Sequence, residues 1–155
     1  MTRHARKPGL TMTLGLAIAL TGRAGFGGQD PSVPPSVSRG ARLFDGTEPL
    51  AGTLSGHSAP LPATATRCSQ CHAGPGAPAA AGSSLAPPLD RHQLREARPR
   101  RGGPPVAYEV STFCRTLRTG VDPAHVVLPR AMPRFEVADV QCAALWDYLT
   151  QEVRR

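Results

Sequence analysis

Five consecutive residues, Cys68-Ser69-Gln70-Cys71-His72, carry the most specific chemistry in this chain. Two thiols three positions apart lie on one face of a single helical turn. From that face both can reach the two vinyl groups on one edge of a porphyrin. The next side chain, the imidazole of His72, is then carried beneath the ring, where it can bind iron. The spacing is that of covalent haem c attachment. Two other chemistries use the same residues. A structural zinc site would recruit Cys68, Cys71, Cys114 and Cys142. Such sites pair two close cysteine couples, or a cysteine couple with a histidine couple, and Cys114 and Cys142 stand 28 residues apart. A thiol–disulfide C-x-x-C sits near a βαβ pattern, and the flanks here, ATATR and AGPGAP, contain no strand run.

An iron held by His72 takes a second axial donor or keeps an open position. Met132 is the only methionine beyond Met1 and Met12, and it lies in the Pro129-Arg130-Ala131-Met132-Pro133 loop. A thioether is soft and favours ferrous iron, so His/Met ligation raises the potential relative to two imidazoles. The competing role for Met132 is simple gap filling in a core. His57, His92 and His125 are the other candidate donors, each in a polar stretch.

The elements that must position these residues are short. Ser38 is expected as the N-cap of a helix over 39–45, with Gly40 and Phe44 on one face. Residues 46–66 show no helical period and read as a loop. So do residues 73–105, rich in proline, with one possible helical turn over 90–98. Over 106–119, Val110, Phe113, Cys114 and Leu117 form an apolar helical stripe, which Gly120 stops. The clearest helix is expected over 137–152, burying Val137, Val140, Ala144, Leu145, Tyr148 and Leu149. These are three principal short helices joined by long Pro/Gly-rich loops, an all-α chain with one domain over 39–155.

Composition agrees. Gly (16) and Pro (17) make up about a fifth of the 155 residues and aromatics only 5%, so the protein atoms alone provide little core. A buried haem would complete it. Residues 1–24 read as a secretory signal. Arg3, Arg6 and Lys7 precede the apolar run Leu10–Leu20, with Gly22 and Ala24 at the −3 and −1 positions. An apolar run of 11 residues is shorter than the ~20 needed to span a bilayer; an uncleaved anchor is the competing reading. Residues 25–38 form a flexible Gly/Pro/Ser leader. The net charge of +7 falls to +3 without the first 24 residues, which does not indicate a nucleic-acid binder. Arg98, Arg100 and Arg101 read as a solvated loop, with propionate contact or docking to an acidic partner as the alternative.

Taken together, Gly40-x-x-x-Phe44, CSQCH at 68–72, Pro87-Pro88-Leu89, Met132-Pro133 and Leu145-x-x-Tyr148 resemble a class I c-type cytochrome of the small bacterial monohaem kind. The resemblance covers about 39–152. It implies the cytochrome c fold wrapped around one haem, with His72 and Met132 on the iron. It also implies a crossing of first and last helices in which Gly40 and Phe44 meet Leu145, Trp146 and Tyr148. The carbonyl of Pro87, with Pro75 as second choice, would accept a hydrogen bond from His72. The stretch from Phe44 to Cys68 is longer than in compact members, so 46–66 is an insertion. No lysine lies beyond Lys7, so the family's lysine ring is absent.

Function follows as an expectation. A periplasmic monomer would carry single electrons between other redox proteins, reaching a membrane only through partners and performing no catalysis. The alternatives are a haem subunit of a larger dehydrogenase or oxidase, and a haem enzyme or gas sensor with an open sixth position. Cys114 and Cys142, on two apolar helix faces of an exported chain, are expected to form a disulfide; two buried free thiols are the alternative.

Overall fold

A computed structural model of the chain describes residues 32–77 and 86–152. The expected secretory signal, most of the expected leader, and Arg154 and Arg155 lie outside the described residues. The elements run α1 (Pro35–Asp45), β1 (Ala51–Thr53), a 3₁₀ turn (Cys68–Gln70), α2 (Arg91–Arg95), α3 (Val110–Thr119), β2 (Arg134–Glu136) and α4 (Asp139–Thr150). Four short helices and one 3₁₀ turn, joined by long irregular segments, carry most of the described chain's regular structure. Unlike the all-α expectation, the chain also contains a two-stranded antiparallel ribbon, β1 against β2, with Ala51 opposite Glu136, Gly52 opposite Phe135 and Thr53 opposite Arg134.

α1 begins four residues before Arg39, with Pro34 as its N-cap and Pro35 at the first helical position. Proline suits that position because its missing N–H would have no intrahelical partner and its φ is already helical. The leader therefore ends at Pro34. Gly46, left-handed at φ 83°, closes the helix, where a residue without Cβ avoids the steric cost. α3 starts at Val110, because Val106 is bridged to Arg98 in extended backbone. Its start is capped by Thr112, whose hydroxyl accepts from the N–H of Glu109. Gly120 ends it at φ 69°.

One core joins the elements. Leu43 and Phe44 from α1, Phe113, Cys114 and Leu117 from α3, and Cys142, Ala144, Leu145, Trp146 and Leu149 from α4 meet in it, with Leu50, Leu94, Phe135 and Val137. Two residues expected on buried faces are not there. Val140 is 65% exposed and Val110 43% exposed, each in the first turn of its helix, where the core-facing stripe has not yet begun. α1 crosses α4 at Gly40, where a Cβ would lie 2.0 Å from the carbonyl oxygen of Ala144 and 2.5 Å from Cβ of Tyr148. The Phe44 and Tyr148 rings meet beside this point, tilted by 49° with centroids 5.6 Å apart. Trp146 faces the other way, 5.6 Å from the Phe113 ring, with the Arg95 guanidinium 5.4 Å from its own ring.

The crossing leaves no room for a side chain. Gly40→Ala is expected to push α1 off α4 and destabilise the protein by about 2–3 kcal/mol, read from the urea midpoint at unchanged slope. A midpoint within error of wild type would show that the helices can separate without loss.

α3 is tied to α4 by a disulfide between Cys114 and Cys142, with Cα atoms 5.7 Å apart. Arg118 strengthens the same junction. Its Nε donates to the carbonyl of Val137 at 3.0 Å and its Nη2 to the carboxylate of Asp139 at 2.5 Å. Asp139 also sits in the first turn of α4, where a negative charge is favoured.

Candidate haem attachment site

The two thiols occur on a tight turn. Cys68–Gln70 is a single 3₁₀ turn, in which residues three apart eclipse one another. The amides of Cys71 and His72 both point back to the carbonyl of Cys68, at 3.1 and 2.9 Å. Cys68 is half-buried against the core and Cys71 is exposed. Neither is in a disulfide. Burial pushes the Cys68 thiol up to about 11. A dithiol oxidoreductase works through a thiol of lowered pKa, so the environment of Cys68 argues against that chemistry. The disulfide between Cys114 and Cys142 removes two of the four ligands the zinc reading requires. Among the described residues no three His, Cys, Asp or Glu side chains are gathered as a metal cage; a His/Met iron requires none.

His72 follows the turn and its ring is held from behind. Nδ1 lies 2.7 Å from the carbonyl oxygen of Pro87. With that oxygen as acceptor, Nδ1 carries the proton and Nε2 keeps a free lone pair. The contact is part of a longer pairing, since the amide of Leu89 donates to the carbonyl of Ala73 at 2.7 Å. Together these bonds set 72–73 against 87–89. Burial depresses the His72 pKa from 6.5, partly offset by the hydrogen bond to Pro87, so the neutral, ligating form prevails at neutral pH. Gly74 then passes close to the helix crossing, where a Cβ would lie 3.0 Å from the Phe44 ring and 3.3 Å from the Tyr148 hydroxyl. Pro75, the second choice as acceptor, forms no hydrogen bond with His72 here.

Met132 is half-buried and packs against the same core as Cys68 and Leu89. Its amide donates to the carbonyl of Pro129 at 3.0 Å, a turn between the two prolines. The rival donors stand on the surface. His57 and His125 are exposed, and exposed His92 lies 2.6 Å from the Glu96 carboxylate on α2. A cavity of about 870 Å³ lies among Asp90, Arg91, His92, Arg95 and Glu152. A shallower apolar groove of about 490 Å³ lies beside Val37, Ala41 and Tyr148. Neither is lined by Cys68, Cys71, His72 or Met132.

The donor set nonetheless fits a covalent haem. Two unpaired thiols share one turn, an imidazole is oriented with Nε2 available, and a thioether borders the same core.

Two arginines have roles that sequence reasoning did not assign. Arg100, expected in a solvated loop, is a clamp. Its guanidinium donates to the backbone carbonyls of Gln93 and Val106 and of Arg98 at 3.2 Å, and lies 4.9 Å from the Tyr108 ring. It thereby satisfies the Gln93 carbonyl in the last turn of α2, which no helical amide reaches. Arg134 donates through Nη1 to the carbonyl of Met132 at 2.7 Å. A guanidinium recognising a main-chain carbonyl leaves no pattern in a sequence, because every residue has one. The one available signal was the position of Arg134, two residues after Met132. Comparison with protein-family models, with curated proteins and with solved structures finds no match to this chain.

Proposed function

We propose that the chain is a periplasmic one-electron carrier with a single haem c. Cys68 and Cys71 would tether it, His72 and Met132 would be the axial donors, and other redox proteins the donor and acceptor. The observation that carries this reading is the 2.7 Å hydrogen bond from His72 Nδ1 to the Pro87 carbonyl, placed directly after two unpaired thiols on one turn. An imidazole fixed in that tautomer is a ligand in waiting, since one nitrogen is oriented by the backbone and the other is left to bind. The crossing of α1 and α4 at Gly40 supports a cytochrome c arrangement of the helices.

The haem supplies the exchange between ferric and ferrous iron. The protein's part is to hold its donors still. The backbone pairing of 72–73 with 87–89 orients the imidazole, and the proline-bounded turn holds the backbone of Met132. Phe44 and Tyr148 pack close to Gly74, two residues after His72. Donors that stay in place in both oxidation states keep reorganisation small.

The test is spectroscopic, on the exported and matured protein. The expected ferric spectrum is low-spin with a near-infrared thioether–iron band, abolished completely in Met132→Ala with a fall in potential. A wild-type ferrous form that binds carbon monoxide at once would overturn the carrier reading in favour of an open sixth position.

A further inference from the structure

We propose that Arg134 is a positioning residue for the Met132 thioether, acting from a strand that the 46–66 insertion holds in place. The inference rests on the reading of Met132 as an axial donor and adds to it how the donor is held. The side chain of Arg134 turns back along its own strand, and Nη1 donates to the Met132 carbonyl at 2.7 Å. The rest of the guanidinium covers the end of α3. A Cβ on Gly120 would fall 1.8 Å from Arg134 Cζ and 1.9 Å from Nε. Gly120 is the C-cap of α3, the end of a helix at which a cation is favoured. Among the described residues Arg134 has no carboxylate within ion-pair distance. Its half-buried charge is therefore directed at main chain, joining the Met132 loop to the end of a helix.

The backbone of Arg134 is held separately, opposite Thr53 in the ribbon. That gives the 46–66 insertion a place in the same device. The carbonyl of Gly52 accepts from the amide of Leu61 at 2.8 Å, and Thr53 bridges to Pro60. Buried Thr66 packs beside Gly52, its Cγ2 3.5 Å from where a Cβ on that glycine would lie. Two residues later the chain enters the Cys68 turn. One ordered segment therefore runs from the strand beside the Met132 loop to the thiols. It links the carriers of the two proposed axial donors. A neutral thioether is a weak donor to ferric iron, so its retention depends on how little the loop opens. An added ligand competes in proportion to the open fraction.

The experiment titrates the ferric holoprotein with imidazole and follows loss of the near-infrared band. Arg134→Ala is expected to lower the imidazole concentration at half-displacement about tenfold. Arg134→Lys, which keeps the charge but not the planar fork, is expected to give a shift of about threefold. It carries the test alone if the alanine variant does not accumulate. Titrations superimposable on wild type, with or without a loss of global stability, overturn the positioning role. If Met132→Ala abolishes the band in that case, the ligand reading stands without it. If Met132→Ala keeps the band, both fall together.

Discussion

Replacing both Cys68 and Cys71 by alanine is expected to abolish haem that survives denaturation, while the protein around the motif can still be made. The argument is geometric. The thiols share a 3₁₀ turn whose amides converge on the Cys68 carbonyl, so both present to one edge of a planar group. A single replacement leaves one attachment point, and partial retention is expected. Double replacement leaves none. The proper measurement is mass spectrometry of the denatured protein from a host that attaches haem c. Wild type is expected to carry one haem adduct per chain and the double variant none. Ser69→Ala and Gln70→Ala, both at exposed positions, should keep the full adduct. His72→Ala separates ligation from attachment, because it removes the imidazole that accepts its orientation from Pro87 and leaves both thiols. Its expected product retains some covalent haem with the wild-type low-spin spectrum lost. Wild-type protein found as the bare chain under those conditions would end the haem reading altogether.

The legibility of this chain was uneven, for physical reasons. The Cys-x-x-Cys-His run is local, and its chemistry depends on spacing that a sequence displays. The stripe Phe113, Cys114 and Leu117, and the stop at Gly120, are also local, and α3 occupies that stretch. Gly40 was readable as a point of close approach. Which residues of α4 would meet it was less so, because Ala144 contributes a backbone oxygen and Trp146 turns to Phe113 instead. The ribbon was invisible. Each of its strands has three residues, below the four to eight over which alternation can be read. They pair across more than 80 positions of sequence. The clamps of Arg100 and Arg134 were hidden for a related cause. Their acceptors are carbonyls, which every residue has, so nothing in the side-chain pattern marks the partner.

Breaking the Cys114–Cys142 disulfide is expected to cost about 3–4 kcal/mol, the closure entropy of a loop of this length. The bridge spans 28 residues, and that span contains the end of α3, the Met132 loop, β2 and the start of α4. The loss is a large fraction of the 5–15 kcal/mol typical of a small domain. Cys114→Ala/Cys142→Ala should lower the thermal midpoint by about 10–20 °C. The double variant is preferred to a single one, which would leave an unpaired thiol in the core. Both cysteines are buried, Cys142 completely and Cys114 to 8% exposure, so a reductant meets the bond only when α3 and α4 part. Added dithiothreitol should therefore act slowly on the folded protein and at once in denaturant, and a thiol-labelling count through time distinguishes the two. The bridge anchors both ends of the segment that carries Met132, so its loss should also favour displacement of the thioether before the protein unfolds. A double-alanine variant with a wild-type midpoint would show that packing of Phe113 on Trp146 and the Arg118 contacts hold the helices without it.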